Sequence, residues 1–260
     1  MGVIRCVADF FVPEHGICGL RPWDSHEVSQ LNELKVDMDF VRECQHIRDL
    51  GAIMMVEQMP IVGGFLPSVE ATAIADVATH LASFALFGAS YHLDGPIHVR
   101  WGITTARECL QVAGHAAMAL DRNTNLLIAN QYYTLAGPCT DMCLLETAAQ
   151  AITDTASGRE LLSGVASAKG VAEDYTTGIE ARVMGEVALA TCKISPQKAN
   201  EIVDRLVSLY EGRYKTAPKG KKFDECYDPI KVLPTEEHLK VYEKVMLTLE
   251  EIGLPLKGIW

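Results

Sequence analysis

The stretch NQYYTLAGPCTDMCLLE, residues 130–146, joins a short apolar run to a segment with helical spacing. The run before it, Leu126 to Ala129, is suited to a buried strand, and Met142 opens the helical segment. Between the two lie a primary amide, two phenols, a Gly-Pro turn and two thiols. In α/β folds, ligands bind where a strand ends in polar residues and turns into a helix. The stretch therefore predicts an α/β protein with a ligand site here; a polar loop with hydrogen-bonded tyrosines is the alternative.

The composition is that of a globular protein with a full-sized core. The 260 residues are 48% apolar and 22% charged, enough for one α/β domain or two small ones. The net charge of -11 argues against a nucleic-acid-binding protein, which needs a basic surface. We find no stretch with the length expected of a membrane span, and the N-terminus lacks the pattern of a signal peptide. We therefore expect a cytoplasmic protein that binds neither nucleic acid nor a membrane.

The eight cysteines are dispersed and form no CxxC pair. Cys139 and Cys143 are four residues apart, which places both thiols on one side of a helix if the helix begins early enough. A zinc site at this position lacks a second pair of ligands at suitable spacing. Reduced and mostly buried thiols are the better interpretation, and we expect no bound metal ion.

Apolar runs and helical patterns alternate along the chain at the spacing of βαβ units. The helix that follows Ser68 is predicted to bury a face that includes Ile74 and Leu81. Thr105 and Glu108 form a capping-box pair at the start of the next helix. The predicted helices span 37–50, 68–87, 105–120, 195–210 and 235–252, and the predicted strands span 52–56, 89–92, 97–101 and 126–129.

Polar residues follow several of the predicted strands. Glu57, Asp94 and Gln131 each come after an apolar run, and in a parallel barrel such positions converge at one mouth. A partly desolvated carboxylate there has a raised pKa and can donate or accept a proton. Tyr133 lies two residues after Gln131, so both face the same cavity if the strand continues. These residues predict a polar site with at least one glutamate, without defining its reaction.

Two local patterns have competing interpretations. His92, Asp94 and His98 form an H-x-D-x3-H pattern, which fits metal ligands or, with better support, a hydrogen-bonded structural cluster. Glu27 lies in the sequence DSHE, where Asp24 as the cap and Glu27 as its partner would begin a helix. In that interpretation Glu27 has no role in a site.

Six blocks of the sequence match the motifs of a known family. They are DSHEVSQLNELK (24–35), VEQMPIVGG (56–64), YHLDGPIHVRWG (91–102), NQYYTLAGPCTDMCLLE (130–146), DTASGRELLSGVASAKGV (154–171) and FDECYD (223–228). Through these blocks the chain resembles the monomethylamine methyltransferases, the pyrrolysine-containing enzymes of methylotrophic methanogens. The resemblance extends from Asp24 to the C-terminus and covers the C-terminal part of the family's chain. The family fold is a (β/α)8 barrel, so the resemblance implies an incomplete TIM-type barrel of later strands plus C-terminal helices.

The resemblance also implies an activity, which is transfer of the methyl group of monomethylamine to the cobalt of a corrinoid protein in methanogenesis from methylamine. In the family, the imine of pyrrolysine is the electrophile to which the amine adds. Matched motif by motif, the implied catalytic residues are Glu27, Glu57, Gln131 and Tyr133, since carboxylates and polar groups stabilise a cationic adduct. With the resemblance, Glu27 is assigned to the site and not to a helix cap.

The same resemblance sets the expected cofactors and partners. The corrinoid is carried by the partner protein, so we expect no cofactor to bind this chain directly. The substrate is monomethylamine, the protein partner is the monomethylamine corrinoid protein, and the full-length family implies a homo-oligomer.

The sequence departs from the family near its beginning. Residues 1–23 form a leader that we do not match to the family, and residues 24–260 form the C-terminal portion of the barrel. In the family, a Gly-Val pair precedes pyrrolysine. Met1-Gly2-Val3 contains a similar pair, but Ile4 stands where pyrrolysine is expected. Three interpretations follow: a methylamine:corrinoid methyltransferase, an inactive fragment that at most docks on intact subunits or the corrinoid protein, and an unrelated barrel enzyme that uses Glu57 as an acid or base.

Overall fold

The structure, a computed structural model, describes residues 23–30 and 34–258. The predicted leader lies outside the described residues apart from Trp23, and Ile4 lies outside them too. Strands and helices alternate in the described part, as the sequence predicts. The strands are β1 (Ser25–Ser29), β2 (Ile53–Gln58), β3 (Ile61–Val62), β4 (Tyr91–Asp94), β5 (Ile97–His98), β6 (Ile128–Tyr133), β7 (Leu161–Ala166), β8 (Tyr227–Asp228) and β9 (Leu233–Pro234). The helices are α1 (Met38–Asp49), α2 (Val69–Ala82, continued by a π-helical turn over Ser83–Phe87), α3 (Arg107–Asn123), α4 (Asp141–Ala156), α5 (Gly178–Thr191), α6 (Pro196–Tyr210), α7 (Phe223–Cys226) and α8 (Glu236–Glu251).

Five parallel strands form the main sheet, in the order β1-β2-β4-β6-β7. Each strand pairs with the one that precedes it in this order, and at least one helix lies between each two successive strands of this sheet. The short strands β3 and β5 pair with each other, and β8 and β9 form a separate antiparallel pair. The sheet is therefore an incomplete TIM-type barrel, open between β1 and β7 in the described part of the chain.

Local sequence fixes the ends of the helices. Asp37 caps α1, where its carboxylate accepts a hydrogen bond of 2.9 Å from the backbone N–H of Phe40. Ser68 caps α2 in the same way, accepting from the N–H of Ala71 at 3.1 Å. Gly51 follows α1 with φ of 66°, a backbone conformation that glycine adopts without strain. The predicted starts of these two helices are confirmed.

The largest apolar cluster lies behind β6 and β7, where α4 packs against α5, α6 and α8. Its fully buried members include Ile152 of α4, Val183 of α5, Leu206 of α6 and Leu249 of α8. The C-terminal helices therefore cover α4 on the side away from the sheet, and they hold the last two strands in place.

The prediction of an apolar buried face on α2 is wrong. Ile74 is 73% exposed and Leu81 is 45% exposed, whereas Asp76 and His80 are fully buried. The helix presents this polar side to β4, where the carboxylate of Asp94 is also fully buried. Apolar periodicity missed this orientation because Asp94, the group that faces His80, comes from another part of the chain.

Two predicted helix starts differ from the structure. The residues after Asp24 form β1, because they pair with β2, and Glu27 therefore lies in a strand and caps no helix. Thr105 does not cap α3, which begins two residues later without a side-chain cap. The hydroxyl of Thr105 instead donates a hydrogen bond of 2.7 Å to Glu146. In both cases a tertiary partner replaces the local capping pattern.

One helix among the described residues, Val69–Phe87, is long and apolar enough to cross a membrane by length and composition. Our expectation that no stretch reaches this length is therefore wrong for these 19 residues. The helix buries Asp76 and His80 inside the protein. Core helices of soluble proteins meet the same criterion, so the finding is weak evidence for a membrane span.

The described cysteines are free thiols, and all but the exposed Cys192 are buried. Cys143 lies in α4 with its Sγ 3.4 Å from the hydroxyl of Thr134 and 3.5 Å from that of Ser167. Cys139 lies in the loop before α4 with φ of 62°. Neither thiol belongs to a group of metal-ligating side chains in the part of the chain that the structure describes.

Candidate active site

The register of the sheet determines which side chains share a face. Glu57 of β2 pairs with Leu93 of β4, and Leu93 pairs with Ala129 of β6. Paired residues point to the same face, and side chains alternate along each strand, so Gln131 and Tyr133 share the face of Glu57. This is the concave side of the sheet, which faces the interior of a barrel. Three of the four predicted site residues therefore lie together on it.

Glu27 lies beside Glu57 on the same face. Ser29, two residues after Glu27, pairs with Glu57, and its hydroxyl lies 3.1 Å from Glu57 Oε2 and 3.4 Å from Glu27 Oε1. Partial burial raises the pKa of Glu57 to about 7, and the charge of Glu27 and a hydrogen bond to it act in the same direction. The two side chains form a carboxylate pair that holds a proton near neutral pH.

Gln131 and Tyr133 form the other half of the site. The side-chain amide of Gln131 lies near the phenol of Tyr133. Burial raises the pKa of Tyr133, and the charges of Glu57 and Glu27 raise it further, whereas the amide of Gln131 lowers it. Ser163 of β7 donates a hydrogen bond of 3.0 Å to Oε1 of Gln131. Because the amide oxygen is engaged by Ser163, the NH2 group of Gln131 is left to donate toward the phenol.

A register shift between β6 and β7 makes room for this contact. Asn130 pairs with Leu162, but Tyr132 pairs with Val165, so β7 has one extra residue in this interval. Ser163 and Gly164 both lie opposite Gln131 as a result. Such bulges redirect side chains and are frequent next to functional sites.

Side chains from outside the sheet hold the shifted segment of β6. The side-chain NH2 of Gln150 donates 2.7 Å to the carbonyl of Gln131. Thr104 donates through its hydroxyl to Gln150 Oε1 at 2.7 Å and accepts from the N–H of Tyr133 at 2.9 Å. The N–H of Thr104 also donates to the carbonyl of Tyr133 at 3.1 Å. These four bonds fix the backbone from which both site residues project.

Glu146 holds the loop that follows Tyr133. Its fully buried carboxylate accepts from the N–H groups of Leu135 at 2.9 Å and Ala136 at 3.0 Å, and from the hydroxyl of Thr105. Burial raises the pKa of Glu146 to about 7, although these hydrogen bonds favour the ionised form. The side chain has a structural role, because all its contacts are to the loop and its flanks.

The site can bind a small cation and move a proton. Two adjacent carboxylates attract a positive charge, and the amide and phenol offer hydrogen bonds on the opposite side. Glu57 has a pKa close to neutral, which suits a group that both accepts and donates a proton.

Two other predictions from the sequence are wrong, because the structure places Asp94 and His98 outside the predicted sites. Asp94 does not converge with Glu57, because its side chain points to the opposite, convex face and pairs with Arg159. His98 does not share a site with His92, because His98 lies in β5 and accepts from the N–H of Arg100 at 3.0 Å. The H-x-D-x3-H pattern is therefore not one ligand set.

Sequence reasoning missed the residues that support the site. They are Ser29, Thr104, Gln150 and Ser163. Ser29 would follow from the alternation of a strand, once the segment after Asp24 is recognised as β1. The other three come from separate elements, and only the tertiary fold brings them to the site.

The chain is similar to known proteins of one family. A family model described as monomethylamine methyltransferase MtmB matches residues 8–254, so the match includes part of the segment 1–23 that we had placed outside the family. Monomethylamine methyltransferase MtmB1 of Methanosarcina barkeri is 56% identical over 236 residues, which are 91% of this chain and 52% of that relative. MtmB1 of Methanosarcina acetivorans is 57% identical over 231 residues, which are 89% of this chain and 50% of that relative.

Solved structures show the same fold. The crystal structure of Methanosarcina barkeri MtmB matches with a TM-score of 0.89 and 56% identity, covering 91% of this chain and 52% of that one. The crystal structure of a hydroxylamine MtmB complex matches with the same TM-score of 0.89. The chain spans about half the length of the curated relatives it matches.

The fold and the site define an α/β protein of the TIM-barrel class with an acidic, polar group on its concave face. Within that class, the chain belongs to the monomethylamine methyltransferase MtmB family.

Proposed function

We propose that this chain takes part in transfer of the methyl group of monomethylamine to the cobalt of a corrinoid protein, in methanogenesis from methylamine. The proposal rests on the grouping of Glu27, Glu57, Gln131 and Tyr133 on one concave face, in a chain 56% identical to a monomethylamine methyltransferase. These residues form the substrate-holding wall of the barrel.

The wall suits a small amine. Monomethylamine is a cation at neutral pH, and the carboxylates of Glu27 and Glu57 attract it, while Gln131 and Tyr133 offer polar contacts across the site. A solved relative in this family is a hydroxylamine complex, which supports an amine of similar size as the ligand here. Glu57 accepts the ammonium proton, because its pKa of about 7 lets it exchange a proton without a large penalty.

In this proposal, neither the electrophile nor the cofactor belongs to the 260 residues. The 260 residues contain no pyrrolysine, whose imine would supply the electrophilic carbon when present. The corrinoid is carried by the partner protein, so no residue of this chain is assigned to hold it. The proposal places the protein in the cytoplasm, with the corrinoid protein as its partner and homo-oligomers as the state of the full-length family.

Binding of monomethylammonium tests the wall directly. The chain is titrated with 13C-labelled methylamine at pH 8, and the methyl resonance is followed by NMR. We expect saturable binding that weakens about tenfold in Glu57→Gln, because one charge-assisted hydrogen bond contributes roughly 1.4 kcal/mol. Glu243→Gln is the matched control, since Glu243 is exposed on α8 far along the chain from the site. Equal binding by all three proteins would refute the assignment.

Methyl transfer tests the reaction separately. The chain is mixed with monomethylamine and the reduced corrinoid protein, and methyl-cobalt formation is followed by the cobalt spectrum. We expect no methylation above the no-enzyme control, because no standard side chain replaces the imine that aims the methyl group at cobalt. Adding the full-length pyrrolysine enzyme restores the signal. Methylation by the chain alone would refute the inactive interpretation.

A second candidate is an unrelated barrel enzyme that uses Glu57 as an acid or base. The near-neutral pKa of Glu57 favours it independently of the family. Transfer of the labelled methyl group to an acceptor other than the corrinoid would support this candidate and contradict the first.

A further inference from the structure

A second group of polar side chains lies on the convex face of the sheet, away from the amine site. Asp76 and His80 are one turn apart on α2 and face Asp94 at the end of β4. All three are fully buried, and one ligand atom from each lies within 4.8 Å of the other two. The proposed methyl transfer uses none of them.

The hydrogen bonds of His80 determine its tautomer. Nδ1 lies 2.7 Å from the backbone carbonyl of Asp76, and a carbonyl only accepts, so Nδ1 carries the ring hydrogen. In the neutral ring, Nε2 then presents a lone pair, and it faces Oδ2 of Asp94 at 3.8 Å without a hydrogen-bond partner. Two acceptors that face each other in a buried space need a cation or a proton between them. A ring N–H bound to a backbone carbonyl is also the usual arrangement of a metal-ligating histidine.

Asp76 is the second sign of a missing cation. Both of its carboxylate oxygens are buried without a hydrogen-bond partner, although Oδ1 lies 3.5 Å from Nδ1 of His80. The one nearby guanidinium, that of Arg159, is already engaged. Its two NH2 groups donate to Asp94 and to the carbonyls of Ala113 and Ala129, and its Nε faces Asp154 at 3.1 Å. Four of the five N–H donors of Arg159 are therefore used by Asp94 and the two carbonyls, and the fifth, at Nε, makes no hydrogen bond.

The charges of the cluster do not balance. The buried carboxylates of Asp76, Asp94 and Asp154 face a single buried guanidinium, that of Arg159, which leaves two negative charges when all are ionised. Burial of uncompensated charge is strongly unfavourable. One divalent cation would neutralise the cluster.

We infer that Asp76, His80 and Asp94 bind one divalent transition-metal ion of the Zn²⁺ class. Two carboxylate oxygens and one imidazole nitrogen are a common donor set for such ions. Ligands of a tetrahedral Zn²⁺ lie roughly 3.3 Å apart, because each bond is about 2.0–2.2 Å long, and the 3.8 Å between His80 and Asp94 is close to this spacing. His92 lies beside the site, with its ring centroid 4.0 Å from that of His80 and neither nitrogen hydrogen-bonded.

The ion would have a structural role, because it joins α2 to β4 on the side of the sheet opposite the substrate. This departs from our expectation that the chain binds no metal. The competing explanation is a proton shared between the carboxyl groups of Asp76 and Asp94, which would reduce the negative charge without a metal.

The metal content of the purified chain distinguishes a bound metal ion from a shared proton. The full chain is purified without chelators, and the metal per chain is measured by inductively coupled plasma mass spectrometry on all soluble material, whatever its oligomeric state. The chain is then stripped with a strong chelator and titrated with Co²⁺, whose visible d–d absorption reports coordination. The same measurements are made on Asp76→Asn, His80→Gln and the control His98→Gln, because His98 belongs to the same sequence pattern but lies outside the cluster.

We expect about one divalent ion per wild-type and His98→Gln chain, and at least a tenfold weaker Co²⁺ affinity for Asp76→Asn and His80→Gln. Chelation of the wild-type chain should lower Tm by about 5 °C, and added Zn²⁺ should reverse the change, because a ligand that binds only the folded state stabilises it. The chelator experiment needs no variant, so misfolding of a variant leaves the test intact. Less than a tenth of an ion per chain, with no Co²⁺ absorption and no effect of chelation, would overturn the inference in favour of the shared proton.

Discussion

At the scale of the residue, the site depends on how two carboxylates share one small space. Glu27 and Glu57 come from neighbouring strands and approach the same hydroxyl, that of Ser29. Partial burial makes ionisation of Glu57 unfavourable, and a second carboxylate nearby makes it more so. The pair therefore changes its charge in the range where many enzymes operate.

We predict that binding of monomethylammonium strengthens as the pH rises from 6 to 8. Glu57 is mostly protonated below its pKa of about 7 and ionised above it, and only the ionised form attracts the cation fully. Glu27→Gln should lower the pKa of Glu57, because it removes the neighbouring negative charge, and the rise in affinity should then occur at lower pH. The carboxyl resonance of Glu57 in 13C NMR gives the pKa directly. An unchanged pKa in Glu27→Gln would show that the two groups do not interact.

The raised pKa of Glu57 also affects folding. A carboxyl group whose pKa is higher in the folded state binds more protons there than in the unfolded chain between about pH 4.5 and 7. Stability contributed by this group therefore falls as the pH rises through that window. The amine site is an example of a functional group placed at the expense of stability.

At the scale of the element, the register shift between β6 and β7 positions the other half of the site. Gln131 and Tyr133 project from a segment whose backbone bonds go to Thr104 and Gln150. A regular strand pair would leave one residue of β7 opposite Gln131, and here there are two. The register shift therefore positions the side chains of both Gln131 and Tyr133.

Replacing Gln150 by Leu should destabilise the fold by about 1–3 kcal/mol, because the buried carbonyl of Gln131 and the hydroxyl of Thr104 lose their partner. Urea unfolding at fixed chain concentration measures the change. Gln197→Leu is the matched control, since Gln197 is exposed in the first turn of α6. The affinity for monomethylammonium should fall in the Gln150 variant only. Equal stability of the two variants would mean that these bonds do not hold the strand.

The same elements show what the sequence predicts and what it does not. The caps at Asp37 and Ser68 and the alternation of strands and helices follow from local chemistry and were predicted, whereas β1, β7 and α5 were not. The orientation of α2 was not, because the partner of its buried histidine, Asp94, lies in another element. Thr105 matched a capping pattern, yet its hydroxyl donates a hydrogen bond to Glu146, 41 residues away. Local patterns place elements, whereas their faces depend on partners that only the fold supplies.

In the candidate site, too, the sequence predicts some features and only the fold supplies the others. The motif match named Glu27, Glu57, Gln131 and Tyr133, and the structure places all four on one face. The prediction from residue spacing also included Asp94, because it assumed that every polar residue after a strand faces the mouth of the barrel. The side to which a strand residue points depends on register, and register requires the neighbouring strands.

At the scale of the whole molecule, the main sheet has two outer edges in the described part of the chain, those of β1 and β7. Unpaired strand edges pair readily with other chains, and an uncovered concave face adds apolar and polar surface to be buried. Leu161 of β7 is 38% exposed at one of these edges. The architecture therefore favours association.

We predict that the 260-residue chain purified alone self-associates. Light scattering after size-exclusion chromatography should show oligomers that grow with chain concentration. Leu161→Lys should reduce association, because a charge on an edge strand opposes pairing, while Leu247→Lys on the exposed surface of α8 should not. A monodisperse monomer with a sharp cooperative thermal transition would contradict the prediction.

The position of Arg159 in the chain has a consequence for protein synthesis. The ribosome delivers Asp94 65 residues before the guanidinium that pairs with it, an interval of roughly 3 to 13 s at about 5–20 residues per second. During that time β1, β2 and β4 can pair with one another, but β4 at first lacks its other neighbour, β6, and the carboxylate of Asp94 lacks its counter-ion. We therefore expect β1, β2 and β4 to pack stably only after the turn that follows α4, which carries Arg159, has left the ribosome.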